Sequence, residues 1–205
     1  MAHAIWAIPN KSSGNGNDTV SWTASPHTGR EARQTTAVFA ASGVESKSLN
    51  IIQSGKTEFV SFDSATASVD KTGGTLTITG KSNSSKLTFA LTGNNGIGLV
   101  LPSQYKANSV NTNNGASIVG DPGASQEYAF EITFTNIPEN TTIESLVSQL
   151  TVTPNSGSSA AATCTITQAA GDAYLTISPV TITIPAAGTP AQTVTVSSNT
   201  NWTIS

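Results

Sequence analysis

Thr163-Cys164-Thr165-Ile166-Thr167-Gln168-Ala169-Ala170-Gly171 puts Cys164 and Ile166 on one face of a strand and threonines on the other. Such period-2 alternation marks a half-buried strand. The stretch has a twin in Ser48-Leu49-Asn50-Ile51-Ile52-Gln53-Ser54-Gly55, and the glutamines Gln53 and Gln168 stand 115 residues apart. A new apolar strand follows each, Glu58-Phe59-Val60-Ser61-Phe62 in one case and Ala173-Tyr174-Leu175-Thr176-Ile177 in the other. Ala67-Ser68-Val69-Asp70 before Gly73-Gly74 is paralleled by Thr181-Ile182-Thr183-Ile184 before Gly188. Leu76-Thr77-Ile78-Thr79 is paralleled by Val194-Thr195-Val196, and the two lead to Asn83 and Asn199. Order and spacing hold together, so this is an internal repeat.

Strands of this kind, punctuated by Gly and Asn, predict an all-β chain of antiparallel sandwich units in tandem. Residues 56–171 make one complete unit, with the polar stretch 93–127 as an inserted loop. Residues 1–55 read as the back part of a unit and 172–205 as the front part of another. Trp6-Ala7-Ile8-Pro9 and Trp202-Thr203-Ile204-Ser205 both read as third strands, so the two tryptophans compete for one position. Thr141-Thr142-Ile143-Glu144 resembles a capping box. With Ile143, Leu146, Val147 and Leu150 at helical spacing, it predicts a short helix. Thr28-Gly29-Arg30-Glu31 holds the matching place in the first half-unit.

Composition narrows the function classes. Charged residues are 10% of the chain, against 31 Thr and 27 Ser, and the net charge is −3. Arg30 and Arg33 form the only basic pair, too little for a phosphate-binding face, so nucleic acid is not expected. The single cysteine, Cys164, excludes an internal disulfide and reads as a small buried hydrophobe. No apolar run approaches a membrane span. Met1-Ala2-His3-Ala4-Ile5-Trp6 has neither the basic start nor the apolar core of an export signal, which predicts a protein made in the cytoplasm.

Catalytic constellations are not expected either. His3 and His27 each sit beside turn residues, away from any carboxylate at ligand spacing. Gly-x-Ser-x-Gly, His-Glu-x-x-His and phosphate-loop patterns are missing. Asp121-Pro122-Gly123 reads as a turn. The reading is therefore of a protein that is not an enzyme, with no catalytic, cofactor or metal residues. Carbohydrate binding is the rival function, because sugar sites present an exposed aromatic platform. Trp22, Tyr105 and Tyr128 are the candidates; Trp22 alternates with Val20 and reads as core, and Tyr105 in the inserted loop is the alternative glycan contact.

Three motifs carry a family resemblance: Ser198-Asn199-Thr200-Asn201-Trp202, Thr28-Gly29-Arg30-Glu31-Ala32-Arg33, and the terminal Ile51-Ile52-Gln53-Ser54-Gly55. Together they resemble the BACON domain, an immunoglobulin-like module of Bacteroidetes proteins. Residues 1–55 look like such a domain from its third strand onward, and 173–205 like one up to its third strand. The middle unit departs, with Lys86-Leu87-Thr88-Phe89 in place of the tryptophan strand and Pro138-Glu139-Asn140 in place of the Gly-Arg motif. The resemblance implies immunoglobulin-like sandwiches in one of two settings. One is the virion of bacteriophages, the crAss-like group included, where a head auxiliary or decoration protein is expected, with other capsid proteins as partners. The other is a secreted or cell-surface protein that binds carbohydrate or mucin, such as host-surface glycans, or acts as a spacer. The lack of an export signal favours the virion, assembled in the host cytoplasm.

Residues 173–205 carry no charge and hold Leu175, Ile177, Ile182, Ile184, Val194, Val196, Trp202 and Ile204. Bare strands of this kind aggregate unless covered. Leaving four aliphatic side chains in water forgoes roughly 6–12 kcal/mol. The N-terminal part, with Trp6 and Ile8, has the reciprocal defect. The joints near Lys56 and Asp172 leave little linker, and the ends of a sandwich lie roughly 25–35 Å apart, so closure within one chain is disfavoured. The expectation is strand complementation between copies, through those ten residues. A stretch of a longer repeat protein, or pairing with a different virion protein, fits the same pattern.

Overall fold

Leu76-Thr77-Ile78-Thr79 and Phe130-Glu131-Ile132-Thr133-Phe134 each turn one apolar row the same way, which suits them to pair and cover a core. In the computed structural model, which describes residues 3–157 and 160–205, they do so with Ile132 opposite Ile78 and Phe134 opposite Leu76. Met1 and Ala2, where the reading of the export signal starts, lie outside the described residues.

The N-terminal part holds β1 (Ala7–Pro9), β2 (Trp22–Ala24), β3 (Arg33–Phe39) and β4 (Lys47–Gln53). The central part holds β5 (Val60–Phe62), β6 (Thr66–Val69), β7 (Gly74–Ser82), β8 (Leu87–Thr92), β9 (Gln104–Ala107), β10 (Val110–Asn113), β11 (Tyr128–Ile137), β12 (Leu146–Pro154) and β13 (Ala162–Gln168). Last come β14 (Leu175–Ser178) and β15 (Thr195–Ser198). The chain is all-β, with one complete immunoglobulin-like sandwich in the middle and a partial unit at each end. The central sheets run β10-β9-β11-β7-β5 and β6-β13-β12-β8. β6 lies parallel to β13, while the other strand pairings are antiparallel. Both inner faces alternate with exposed threonines and serines, as stacked sheets require.

Phe89, Phe130, Phe134, Ile132, Leu87, Leu150, Val152, Cys164 and Ile166 fill the space between the sheets. Aromatic rings bind its middle, with Phe89 5.5 Å from Phe130 and Phe62 5.8 Å from Phe130, edge to face. Cys164 is buried, as its alternation with Ile166 implies, and burial pushes its thiol pKa up.

Two expectations fail inside this unit. Residues 143–150 form no helix. Asn140 Oδ1 accepts from the Thr142 amide at 3.0 Å and the Thr142 hydroxyl at 2.7 Å, so the supposed cap is a turn. β12 begins at Leu146, and its inner row is Ser148, Leu150 and Val152. Ser148 disguised the strand: it is a polar residue facing inward, donating to Asn95 Oδ1 at 2.7 Å and accepting from the Ile97 amide. Nor is 93–127 only an inserted loop. It supplies β9 and β10 to a sheet, and Ile97, Leu99, Tyr105, Ala107 and Ile118 to the core. Its many Asn and Gly residues make turns; Asn114 bonds both the amide and the carbonyl of Phe89.

Candidate functional site

The two ends are held by a joint that the repeat builds twice. At the first, Asn83 Oδ1 accepts from the Phe59 amide at 2.9 Å, and Nδ2 donates to the Thr28 carbonyl at 3.1 Å. At the second, Asn199 Oδ1 accepts from the Tyr174 amide at 3.0 Å, and Nδ2 donates to the Thr141 carbonyl at 3.1 Å. The preceding serines repeat as well: Ser82 donates to the Phe59 carbonyl and Ser198 to that of Tyr174. Each asparagine ties the start of one unit to the end of the unit before it. The shared glycines have the same cause. A side chain on Gly55 would run into the Arg30 carbonyl, and one on Gly171 into those of Asn140 and Thr142.

The first joint has further ties that sequence reasoning missed. Arg30 forms a two-pronged ion pair with Asp121 and donates to the Asn83 carbonyl at 2.9 Å. Asp121 precedes a short 3-10 helix, Pro122–Ala124, whose Gly123 carbonyl accepts from the Arg30 amide. The signal was present, since Arg30 stands in the Thr-Gly-Arg motif, but its partner lies 91 residues away. His27 donates through Nε2 to the Glu31 carbonyl, as Asn140 does to that of Glu144, so it fills a turn. His3 meets the half-buried Trp22 edge-on.

Beyond the joints the ends are open. Among the described residues β14 pairs only with β15, and β3 only with β4, each in a two-stranded sheet. Residues 181–184, read as a strand, have no ladder here. Their counterpart β6 is held by β13 in the central unit, and no strand beside them plays that part. The repeat shows what this leaves in water. With one residue fewer after Asn199 than after Asn83, the apolar alternation matches Trp202 and Ile204 to Leu87 and Phe89 of the central unit; these are 0% and 2% exposed, whereas Trp202 is 47% and Ile204 87% exposed. Phe39 corresponds to Val152, and the exposures are 45% against 0%. Leu175, Ile177, Ile182, Ile184 and Val194 are exposed too, as is Ile8, while Val196 and Trp6 are half-buried. The ten expected interface residues therefore form two separate groups, one at each end.

Trp6 does not take the third-strand position. Its guanidinium neighbour Arg33 lies 4.6 Å over the ring, and β1 pairs with β2, not with β3. The Ala4 amide donates to Thr35 Oγ1 as the Ile97 amide does to Ser148 Oγ. Residues 4–9 thus correspond to the segment after β8, and the clash between Trp6 and Trp202 disappears.

Tyr105 is the other correction. It is buried, its ring 4.8 Å from Phe89, so it offers no platform to a sugar. Strand alternation turned it inward from β9. Burial pushes the Tyr105 phenol up to about 12 and that of Tyr128 up as well. Both ionise at about 10 in an unfolded chain. The fold holds these protons more tightly, so stability is intact below about pH 10 and is lost as pH rises through the folded values. Urea midpoints are expected to stay level from about pH 8 to 10 and to fall beyond, less steeply in Tyr105→Phe.

Among the described residues no group of three or more His, Cys, Asp or Glu gathers as a metal site. Nor is any helix among those residues long and apolar enough to cross a membrane. No family model and no curated protein matches the chain. Among solved structures it is similar to zebrafish RET cadherin-like domains 1 to 4 (11% identity, TM-score 0.38, 84% of this chain and 41% of that one). It is also similar to mouse clustered PcdhgC3 EC1-3 (13%, 0.38, 74% and 47%) and to protocadherin gamma B2 extracellular cadherin domains 1-5 (12%, 0.40, 94% and 37%). The chain spans less than half the length of each.

Proposed function

We propose that this chain is a non-catalytic assembly protein whose two ends complete each other between copies, without a cofactor. The observation that carries this reading is the exposure, at both ends, of positions that the central unit buries. A heterologous contact of this kind makes open arrays or rings, not closed dimers. The BACON resemblance supplies the setting: a bacteriophage virion, with the chain as an auxiliary or decoration protein of the head beside other capsid proteins.

Light-scattering mass across a hundredfold concentration range tests the reading. The full chain is expected to rise above its monomer mass of 20.9 kDa, while Ile184→Asp/Ile204→Asp stays there. A full chain that holds the monomer mass throughout would remove the assembly role. Absence of the protein from purified virions would remove the setting.

A further inference from the structure

Resting on that assembly reading, we infer a defined site and register for the second copy. Its residues 181–184 lie parallel along the free edge of β4, and its residues 202–204 antiparallel along the free edge of β3.

The central unit provides the template. There Thr66, Ala67, Ser68 and Val69 face Thr165, Ile166, Thr167 and Gln168 across the parallel pair. Carried through the repeat at the 115-residue spacing of Gln53 and Gln168, Thr181, Ile182, Thr183 and Ile184 face Asn50, Ile51, Ile52 and Gln53. Leu87, Thr88 and Phe89 face Pro154, Thr153 and Val152. The ends translate this to Trp202, Thr203 and Ile204 against Ala41, Ala40 and Phe39. Ile204 and Phe39, both exposed in the single chain, then cover each other.

Two independent features fit this docking. The place beside β3 is free, because β1 pairs with β2 and enters after the third-strand position. Gln53 also carries spare capacity. Its counterpart Gln168 is fully buried and donates to the Pro138 carbonyl at 2.8 Å, with Asp70 and Lys71 carbonyls at 3.3 and 3.4 Å. Gln53 Nε2 has the Ser25 carbonyl alone, at 3.0 Å. The missing acceptors correspond to Pro185 and Ala186, which follow the docked segment in the incoming copy. A copy that brings its own carbonyls to Gln53 completes the bond set as well as the apolar cover. The occupant is a second copy because the Asn199 joint fixes residues 172–205 to the far end of the central unit, and neither edge is filled within one chain.

The register is tested by mixing full-length Ala40→Cys with full-length Thr203→Cys under mild oxidation. Cys164 is buried and does not compete. The mixture is expected to give a disulfide-linked dimer that neither variant gives alone, at least about tenfold more than Val38→Cys with Thr203→Cys, which reports a two-residue slip. A dimer dominated by the slipped pair, or association seen by light scattering with no linked product, overturns the register and leaves the assembly reading intact. A link formed inside the double variant Ala40→Cys/Thr203→Cys overturns the second copy as occupant. If the same variants and the parent chain stay monomeric, the assembly reading itself falls.

Discussion

Phe89→Ala is expected to cost about 3–5 kcal/mol of unfolding free energy, read from urea denaturation followed by circular dichroism. Phe89 is among the largest fully buried side chains, and its ring touches both Tyr105 and Phe130. Its loss removes transfer energy and opens a cavity between two sheets that are held apart by other bulky residues. For a domain with about 5–15 kcal/mol in hand, this approaches unfolding at physiological temperature. The repeat provides its own control. Ile204 stands where Phe89 stands, yet it is exposed in the single chain, so Ile204→Ala in dilute solution is expected to change stability by less than about 0.5 kcal/mol. A Phe89→Ala loss under about 1 kcal/mol would mean that the ring does not anchor the core.

Asn83→Ala is expected to destabilise by about 3 kcal/mol and to open the chain to protease near Thr28–Arg30. The Asn83 side chain is fully buried and satisfies the Phe59 amide together with the carbonyl of Thr28 and, more loosely, those of Lys56 and Thr57. Alanine takes this partner from the Phe59 amide and the Thr28 carbonyl, both on half-buried residues, and each group left unsatisfied away from water costs about 1–3 kcal/mol. Asn199→Ala repeats the change at a joint that water reaches, so less than about 1 kcal/mol is expected. Equal effects at the two positions would show that burial does not set the strength of the joint.

The repeat carried most of what was legible. The alternation around Cys164 and Ile166 located β13, and the asparagines that close each copy proved to be the joints. What escaped were residues whose type and surroundings disagree. Ser148 broke the apolar row of β12, so Leu146, Val147 and Leu150 looked helical. The Asn- and Gly-rich stretch 93–127 looked like a plain loop because turn residues separate its five buried apolar side chains. Tyr105 looked free for the same reason. Arg30 and Asp121 gave no hint of each other, because neighbours across a joint need not be close in sequence.

Sequence alone determined that the chain is all-β and repetitive, and which side chains turn inward along the strands whose alternation is unbroken. Both follow from local rules, a period of two along a strand and a fixed spacing between copies. Only the tertiary structure decided which of those inward faces are covered. It also placed Trp6 beside β2, leaving the edge of β3 open. Burial and strand pairing are relations between segments far apart in the chain, and no local pattern encodes whether the partner segment is present.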